Sequence, residues 1–311
     1  MRVKYEEMVS EFKRVLEKYG FDGKRAEEAA EIFAQNSLAG VYSHGLNRFP
    51  RVVEYLKKGE IDPNIQAECT FRFGAFERWD GHRGFGPLNA RQAMKRAVEL
   101  AKESGIGIVA LGNNNHWMRG GTYGWRGKDC KLGNNPLIMA IPRSNGEHVV
   151  VDCAMSQFSY GKMEDCRLKG QKLPVPGGYD SEGNLTDDPG EIEQTRRVLP
   201  MGYWKGSGIS IALDLIATVL SDGNSVKTIG TFEDEVGLNQ IMIAIDPGKA
   251  NPSERTDSIV DQIVVDIKSS TPEKEGGEVL YPGERVIRSI RDNKEHGIPV
   301  IEEKWNQVLN M

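Results

Sequence analysis

The feature that most restricts the fold lies between residues 86 and 111, where a helical pattern passes through one glycine into a strand. Leu88, Ala93, Ala97, Val98 and Ala101 recur at helical spacing as far as Ser104, and Ile106-Gly-Ile-Val-Ala-Leu111 follows without a polar side chain. A short unbroken apolar run of this kind reads as a buried strand, so the chain is of the α/β type, with α+β character where strands follow one another directly. Gly105-Ile-Gly-Ile-Val-Ala110 has the Gly-x-Gly-x-x-Ala spacing of a dinucleotide-binding turn. It stands before and within the strand, however, whereas that turn leaves a strand and opens a helix. The chain therefore carries no Rossmann fingerprint.

The elements around this strand divide the chain into three parts. Residues 5–20 and 24–39 place Met8, Phe12, Val15 and Leu16, then Ala29, Ile32, Phe33 and Leu38, at helical spacing, with Gly20 and Gly23 between them. A third helix runs from Phe49 through Val52, Val53, Tyr55 and Leu56 to Gly59. Residues 1–70 are thus expected to form a helical arm or cap. Residues 71–250 hold a mixed sheet: Phe71 to Arg78 alternates like one short strand and Trp79-Asp-Gly81 turns. The apolar runs 136–142 and 149–154 flank an Arg143-Ser-Asn-Gly146 turn that predicts antiparallel pairing, and Gln240 to Asp246 is a further strand. Residues 171–190, rich in Pro and Gly, predict an ordered covering loop. Residues 251–311 predict a C-terminal helical segment packing back on the core, with helices over 259–269 and around Trp305 and Leu309.

Acids and bases are interspersed and the net charge is -5, which leaves no basic stripe for a phosphate backbone and argues against nucleic acid as a partner. The charged N-terminus lacks a signal-peptide run, and no stretch is long and apolar enough to span a bilayer. A cytoplasmic protein without membrane contact is expected. Cys69, Cys130, Cys153 and Cys166 form no Cys-x-x-Cys pair, and His44, His82, His116, His148 and His296 show no ligand spacing, so reduced thiols and no metal site are expected.

Three stretches carry chemistry. In residues 40–50, His44 and Arg48 are four apart, and on a helix they would share a face with Asn47 beside them. Histidine exchanges a proton near neutral pH and arginine grips a carboxylate through two parallel bonds, which suits a small oxoacid. Spacing alone weighs this evenly against a packed histidine and a surface arginine. Ser43 adjoins His44, but neighbouring helical residues diverge and there is no Gly-x-Ser-x-Gly elbow, so Ser43 orients His44 or relays its proton instead of acting as a nucleophile. The second stretch is the glycine- and amide-rich loop of residues 112–125, where backbone donors approach a phosphate or carboxylate and His116, Trp117 and Arg119 add contacts. The third is Lys205-Gly-Ser-Gly208 ahead of an apolar helix from Ile209 to Leu220, a phosphate cradle preceded by Trp204 as a ring partner. A plain cap at Ser207 with a solvated lysine is the alternative.

Taken together, Gly-Val-Tyr-Ser-His-Gly-Leu-Asn-Arg-Phe-Pro at 40–50, Asn-His-Trp-Met-Arg-Gly-Gly-Thr-Tyr-Gly-Trp at 115–125 and Leu-Pro-Met-Gly-Tyr-Trp-Lys-Gly-Ser-Gly at 199–208 resemble the malate/L-lactate dehydrogenase family. The likeness runs essentially from end to end, and the Trp-Met-Arg-Gly-Gly and Met-Gly-Tyr-Trp-Lys runs narrow it to a subgroup acting on sugar-derived diketo acids. The resemblance implies a non-Rossmann NAD(P)-binding fold, with a mixed, largely antiparallel sheet flanked by helices. It implies an NADH-linked keto reductase, with NADPH also open, acting as a homodimer on a keto acid. His44 would be the proton donor assisted by Ser43, and Arg48, with His116 and Asn134, would face the substrate. His116, Trp117, Met118, Arg119 and Gly120 match the loop between substrate and cofactor. His148, Val149, Val150, Val151, Asp152, Cys153 and Ala154 fall on the cofactor strand. Trp204 and Lys205 match nicotinamide and phosphate contacts, and Gly283, Glu284 and Arg285 the C-terminal cofactor segment.

Three departures stand out. Relatives carry a further helix end and a strand where Arg126 to Gly133 here joins Trp125 directly to the Asn134-Asn135-Pro136 turn, and loss of a central strand is hard to absorb in a packed sheet. Asn134 stands where many relatives have threonine, and Lys162 follows Gly161 where some have an aspartate completing a relay. Two rival readings remain: a malate- or lactate-type 2-hydroxyacid dehydrogenase, which the His44 and Arg48 pair serves equally well, and a non-catalytic nucleotide- or ligand-binding sensor.

Overall fold

The computed structural model describes residues 1–116, 135–272 and 275–311, together with the backbone of 122–123 and 130–132. Its first core is helical. Arg2–Val3 (β1) leads into Tyr5–Lys18 (α1), which buries Met8, Phe12, Val15 and Leu16 along one stripe. Asp22 caps Gly23–Leu38 (α2) by accepting from the Arg25 amide, and the small Ala26, Ala29, Ala30 and Ala34 let α2 lie close against α1. Phe12 stacks on Phe49 of Phe49–Lys57 (α3) with ring centroids 4.2 Å apart, and Phe33 meets Phe49 edge-on at 5.1 Å. The C-terminus closes this core: Ile298–Pro299 pairs antiparallel with β1, and Trp305 and Val308 of the last helix, Glu302–Leu309, are buried within it.

Between α2 and α3 the chain forms no α-helix, and the third helix starts at Phe49 as its apolar pattern predicts. Tyr42–His44 forms a single 3-10 turn, and α3 begins only at Phe49 with Arg48 as its N-cap. Gly40, in the left-handed region at φ +77, ends the preceding helix. Gly45 then packs onto α2 where a Cβ would fall 2.1 Å from Ser37 Oγ, and Pro50 favours a fresh helix start. His44 and Arg48 therefore do not share an α-helical face; a turn brings them together.

The single strand expected from Phe71 to Arg78 is a hairpin. Glu68–Phe73 (β2) and Phe76–Asp80 (β3) pair antiparallel about Gly74, whose φ of +56 permits the reversal. The expected turn residues Trp79 and Asp80 belong to β3. Gly86–Ser104 (α4) then crosses to Ile106–Asn114 (β4), parallel to β3, with Gly105 as its left-handed C-cap. That glycine ends a helix, as its order in the sequence requires. Alternate residues of β4 face opposite layers: Gly107, Val109 and Leu111 meet α4, while Gly112 meets Ser221 on the other side.

Thr122–Tyr123 (β5) pairs with Cys130–Leu132 (β6), and Leu137–Ile141 (β7) pairs antiparallel with Val149–Cys153 (β8), the latter as the turn chemistry predicts. After Tyr160–Leu168 (α5), the Pro- and Gly-rich excursion is more than a loop. It folds as the hairpin Gly178–Tyr179 (β9) and Leu185–Thr186 (β10) plus Pro189–Thr195 (α6), around Met163, Cys166, Leu173, Ile192 and Val198. Trp204–Ser221 (α7) covers the face of the sheet opposite α4, and Val226–Ile229 (α8) follows, its Val226 amide donating to Asp214. Leu238–Ile245 (β11) completes a four-stranded mixed sheet in the order β11-β4-β3-β2. Ser253–Lys268 (α9) and Glu284–His296 (α10) lead to the C-terminus. Among the described residues no helix is long and apolar enough to cross a membrane, and no group of three or more His, Cys, Asp and Glu could hold a metal ion.

Candidate active site

The 3-10 turn carrying Ser43 and His44 is fixed from three sides. Asn36 donates to the His44 carbonyl at 3.0 Å, Ser37 accepts from the Leu46 amide at 2.9 Å, and Asn293 of α10 donates to the Leu38 carbonyl at 2.8 Å. Gly161 in the first turn of α5 lies so near Ser43 that a Cβ there would sit 2.3 Å from Ser43 Cβ. Burial strips water from the His44 imidazole, and the Arg48 charge beside it adds to the effect, so its pKa falls from 6.5 to about 4. At neutral pH the unliganded protein holds His44 neutral.

Arg48, at the entry to α3, faces Glu235 with Nη2 4.0 Å from Oε2, and the same Oε2 lies 3.7 Å from His116 Nε2. These side chains are 11%, 5% and 8% exposed, so three ionisable groups share one nearly dry site. His116 is delivered by the end of β4 through a lattice of amides. Asn115 donates to the carbonyls of Glu60 (2.8 Å) and Arg83 (2.6 Å), Asn114 donates to Gln240 Oε1 at 2.7 Å, and Asn89 donates to Asn114 at 3.2 Å. Gly86 makes room for it, since a Cβ there would fall 2.0 Å from the Asn115 carbonyl oxygen. Glu235 is the site residue that sequence reasoning missed. It ends the run Glu233-Asp234-Glu235, which reads as a solvated surface, and only the pairing of β11 with β4 turns it inward.

The residues expected at the cofactor come together on a second surface. The Val150 amide of β8 donates to the Pro282 carbonyl at 3.0 Å, and Gly283, at φ +99, lies where a Cβ would crowd the His148 carbonyl at 3.0 Å. Residues 148–154 and 283–285 are thereby adjacent. His148 Nδ1 accepts from the Arg143 amide, and partial desolvation pushes the Asp152 carboxyl up. Burial, aided by Asp152, likewise raises the Cys153 thiol, which points at the Leu137 carbonyl. Glu284 is engaged with Lys268 (2.5 Å) and Arg288 (2.7 Å); burial works to raise its carboxyl, but these cations hold it below the ordinary value. Arg285 is exposed.

Beyond β8, Met155 accepts from the Met201 amide and Gln157 donates to the Leu199 carbonyl, which ties the segment before α7 to the chain that leaves this strand. Helix α7 starts at Trp204, five residues earlier than its apolar pattern suggests, so Lys205-Gly-Ser-Gly208 forms its first turn. Gly206 permits this by packing within 2.3 Å (Cβ position) of the Met201 carbonyl. Ser207 is not the cap: it donates back to Trp204 O at 3.0 Å, and the capping position, Tyr203, gives no side-chain capping bond. Trp204 is 62% exposed with Lys205 beside it; the Lys205 and Gly206 amides already donate to the Gly202 and Met201 carbonyls, so the start of this eighteen-residue helix presents its positive dipole end, a cation and an open indole. These residues fit a dinucleotide, whose phosphates need donors and whose rings need a stacking surface. Trp117, Met118, Arg119, Gly120 and Asn134 lie outside the described residues.

A mixed α/β fold that gathers a desolvated histidine, a largely buried arginine and a dinucleotide-compatible helix start fits an oxidoreductase. A family model described as malate/L-lactate dehydrogenase matches residues 3–126 and 124–309, and the chain belongs to that family, which implies a nicotinamide cofactor. It is 44% identical over 331 residues to the 2,3-diketo-L-gulonate reductase of Escherichia coli O127:H6, with 99% of each covered. The sulfolactate dehydrogenase of Methanocaldococcus jannaschii superposes with a TM-score of 0.85 at 27% identity, covering 99% of this chain and 95% of that one. The malate dehydrogenase of Entamoeba histolytica shares the fold at a TM-score of 0.94 and 21% identity, with 100% and 96% covered. The family match falls in two pieces that meet at 124–126, and 331 aligned positions against 311 residues set at least 20 positions of the relative against a gap.

Proposed function

We propose that this chain is an NADH-dependent reductase of a carboxylate-bearing, sugar-derived diketo acid, similar in activity to 2,3-diketo-L-gulonate reductase. The observation that carries the reading is the convergence of His44, Arg48 and His116 in one desolvated site reached from two separate segments, and the full-length similarity at 44% identity supports the substrate class. Arg48 binds the substrate carboxylate, His116 contacts the oxygens beside it, and His44 exchanges the proton of the reacting carbonyl with Ser43 orienting it. A bound nicotinamide supplies the hydride. Anion binding at Arg48 offsets the charge that disfavours the imidazolium, so substrate entry draws a proton onto His44. The surface formed by residues 148–154, Trp204, Lys205 and 283–285 takes the dinucleotide.

The helical arm of residues 1–70 carries the proton donor, residues 71–250 the cofactor surface, and 251–311 packs back against them. The enzyme acts in the cytoplasm as a homodimer, a state supported by apolar side chains left exposed on α7 and β11, among them Leu215, Ile216, Val219, Ile243 and Ile245.

The test is loss of nicotinamide absorbance with NADH and, separately, 2,3-diketo-L-gulonate, oxaloacetate and pyruvate. Preferred turnover of the diketo acid upholds the reading, and preference for oxaloacetate or pyruvate replaces it with a malate- or lactate-type dehydrogenase. His44→Gln is expected to lower kcat by about a hundredfold to ten-thousandfold while NADH still binds; near-normal turnover would remove His44 from its role.

A further inference from the structure

We propose that Asn293 is a positioning residue for the proton donor, and that α10 through it ties the turn of Ser43 and His44 to the cofactor surface. The tie rests on the reductase reading; the hold on the turn does not. Leu38 is the last residue of α2, so its carbonyl has no partner within that helix. Asn293, 4% exposed, supplies one from outside by donating Nδ2–H at 2.8 Å. It acts on the Tyr42 phenol as well, opposing the rise that burial gives its pKa. One turn earlier on the same face of α10, Ser289 packs on Gly40, where a Cβ would fall 3.4 Å from the serine Oγ. The bonds that Asn36 and Ser37 make to the turn come from α2 and move with it. That of Asn293 comes from a separate part of the chain.

The other end of α10 belongs to the cofactor surface. The Pro282 carbonyl accepts from the Val150 amide at 3.0 Å, and Gly283 lies against His148 and Val150. Arg291 pairs with Glu147 in the turn that joins β7 to β8, an exposed pair that marks adjacency more than strength. Ile290 packs into the core of the helical arm. Thus α10 is wedged between the hairpin that takes the dinucleotide and the arm that carries His44. Its thirteen residues include neither glycine nor proline, so the roughly 15 Å from Gly283 to Asn293 is spanned without a break. A dinucleotide held at 148–154 and 283–285 settles one end of this helix, and the other end passes that order to Leu38 and the turn.

The test is hydrogen–deuterium exchange of the full-length protein, wild type and Asn293→Leu, free and with NADH. In the free protein the amides of residues 39–46 are expected to exchange about tenfold to a hundredfold faster in the variant, with those of 283–290 at the wild-type rate. NADH should slow both segments in wild type and only 283–290 in the variant. The kcat per NADH-binding site should fall about tenfold or more with the NADH Kd unchanged, and Asn293→Gln, which keeps the amide, should recover part of it. A merely structural role would lower the number of binding sites and leave their kcat alone. Asn293→Ala reads the same loss if leucine prevents folding. Unchanged exchange of 39–46 in the free variant, equal slowing of that segment by NADH in both proteins, or a wild-type kcat would overturn the proposal. Absence of NADH binding or of diketo acid turnover in wild type would instead sink the reductase reading and leave exchange of the free protein to judge Asn293.

Discussion

Gly161→Ala tests whether the start of α5 sets the position of the turn that carries Ser43 and His44. The glycine is the second residue of a helix, where alanine is ordinarily better by up to about 1 kcal/mol. Here the new methyl group would fall 2.3 Å from Ser43 Cβ and 2.8 Å from Ser43 Oγ. Carbon atoms in contact settle about 3.5–4.0 Å apart, so Ser43 or α5 must retreat by roughly 1.2–1.7 Å. Overpacking of this kind costs about 1–3 kcal/mol, which outweighs the helix gain and leaves a net loss of up to about 2 kcal/mol. In a chain of this length that lowers Tm by a few degrees. The larger effect is on rate, because Ser43 and His44 share one rigid turn and a displacement of about 1 Å costs about a hundredfold. Steady-state kinetics with NADH and the diketo acid should show that fall in kcat, and adding Ser43→Gly should return the lost Tm. A variant that keeps kcat within about threefold of wild type and melts higher would refute the contact and its reach to His44.

Two further outcomes follow from the electrostatics. Because the folded protein holds His44 at about 4 and the unfolded chain at about 6.5, the unfolded state takes the proton first as pH falls, so stability is full above about pH 6.5 and declines toward pH 4. At about pH 4.5 the loss amounts to about 2–3 kcal/mol, and His44→Gln should show a smaller drop in urea stability between pH 7 and 4.5; an equal drop would mean that His44 does not titrate in this way. Lys205→Ala should raise the NADH Kd about tenfold, the value of one charge-assisted phosphate contact, with kcat little changed. An unchanged Kd by fluorescence titration would take Lys205 out of the cofactor surface.

Local periodicity made much of the architecture legible. Met8, Phe12, Val15 and Leu16 are all buried, Val109, Ala110 and Leu111 lie in the covered strand, and the Arg143–Gly146 turn joins two antiparallel strands as its residues suggest. The misread hairpin has a local cause: a pattern continued across a break that one glycine creates. The alternation from Phe71 to Arg78 carries on through Gly74, and β2 is exposed along its whole length, so its alternation records no burial. The four-residue spacing of His44 and Arg48 puts them on one face only if the stretch is helical, and the chain forms a 3-10 turn there, with Gly45 packed against Ser37. Glu235 was illegible for another reason. Its neighbours Glu233 and Asp234 are the solvated acids the run suggests, and its own burial depends on a strand pairing more than a hundred residues away in sequence.

The same dependence on distant partners bears on α7. An apolar face of a helix is ordinarily a buried one, and Ile209, Ile211, Leu215, Ile216 and Val219 spread over roughly half the circumference of α7. One side meets β3, β4 and β11, yet Val219 is 72% and Leu215 59% exposed, and Ile138, Met139 and Ile141 of β7 are also open. β7 follows closely after residues 124–126, where the two pieces of the family match meet. Exposed apolar surface on this scale favours association over a solvated monomer. The proposed homodimer accounts for the exposed apolar side chains of α7 and of β7 by covering them.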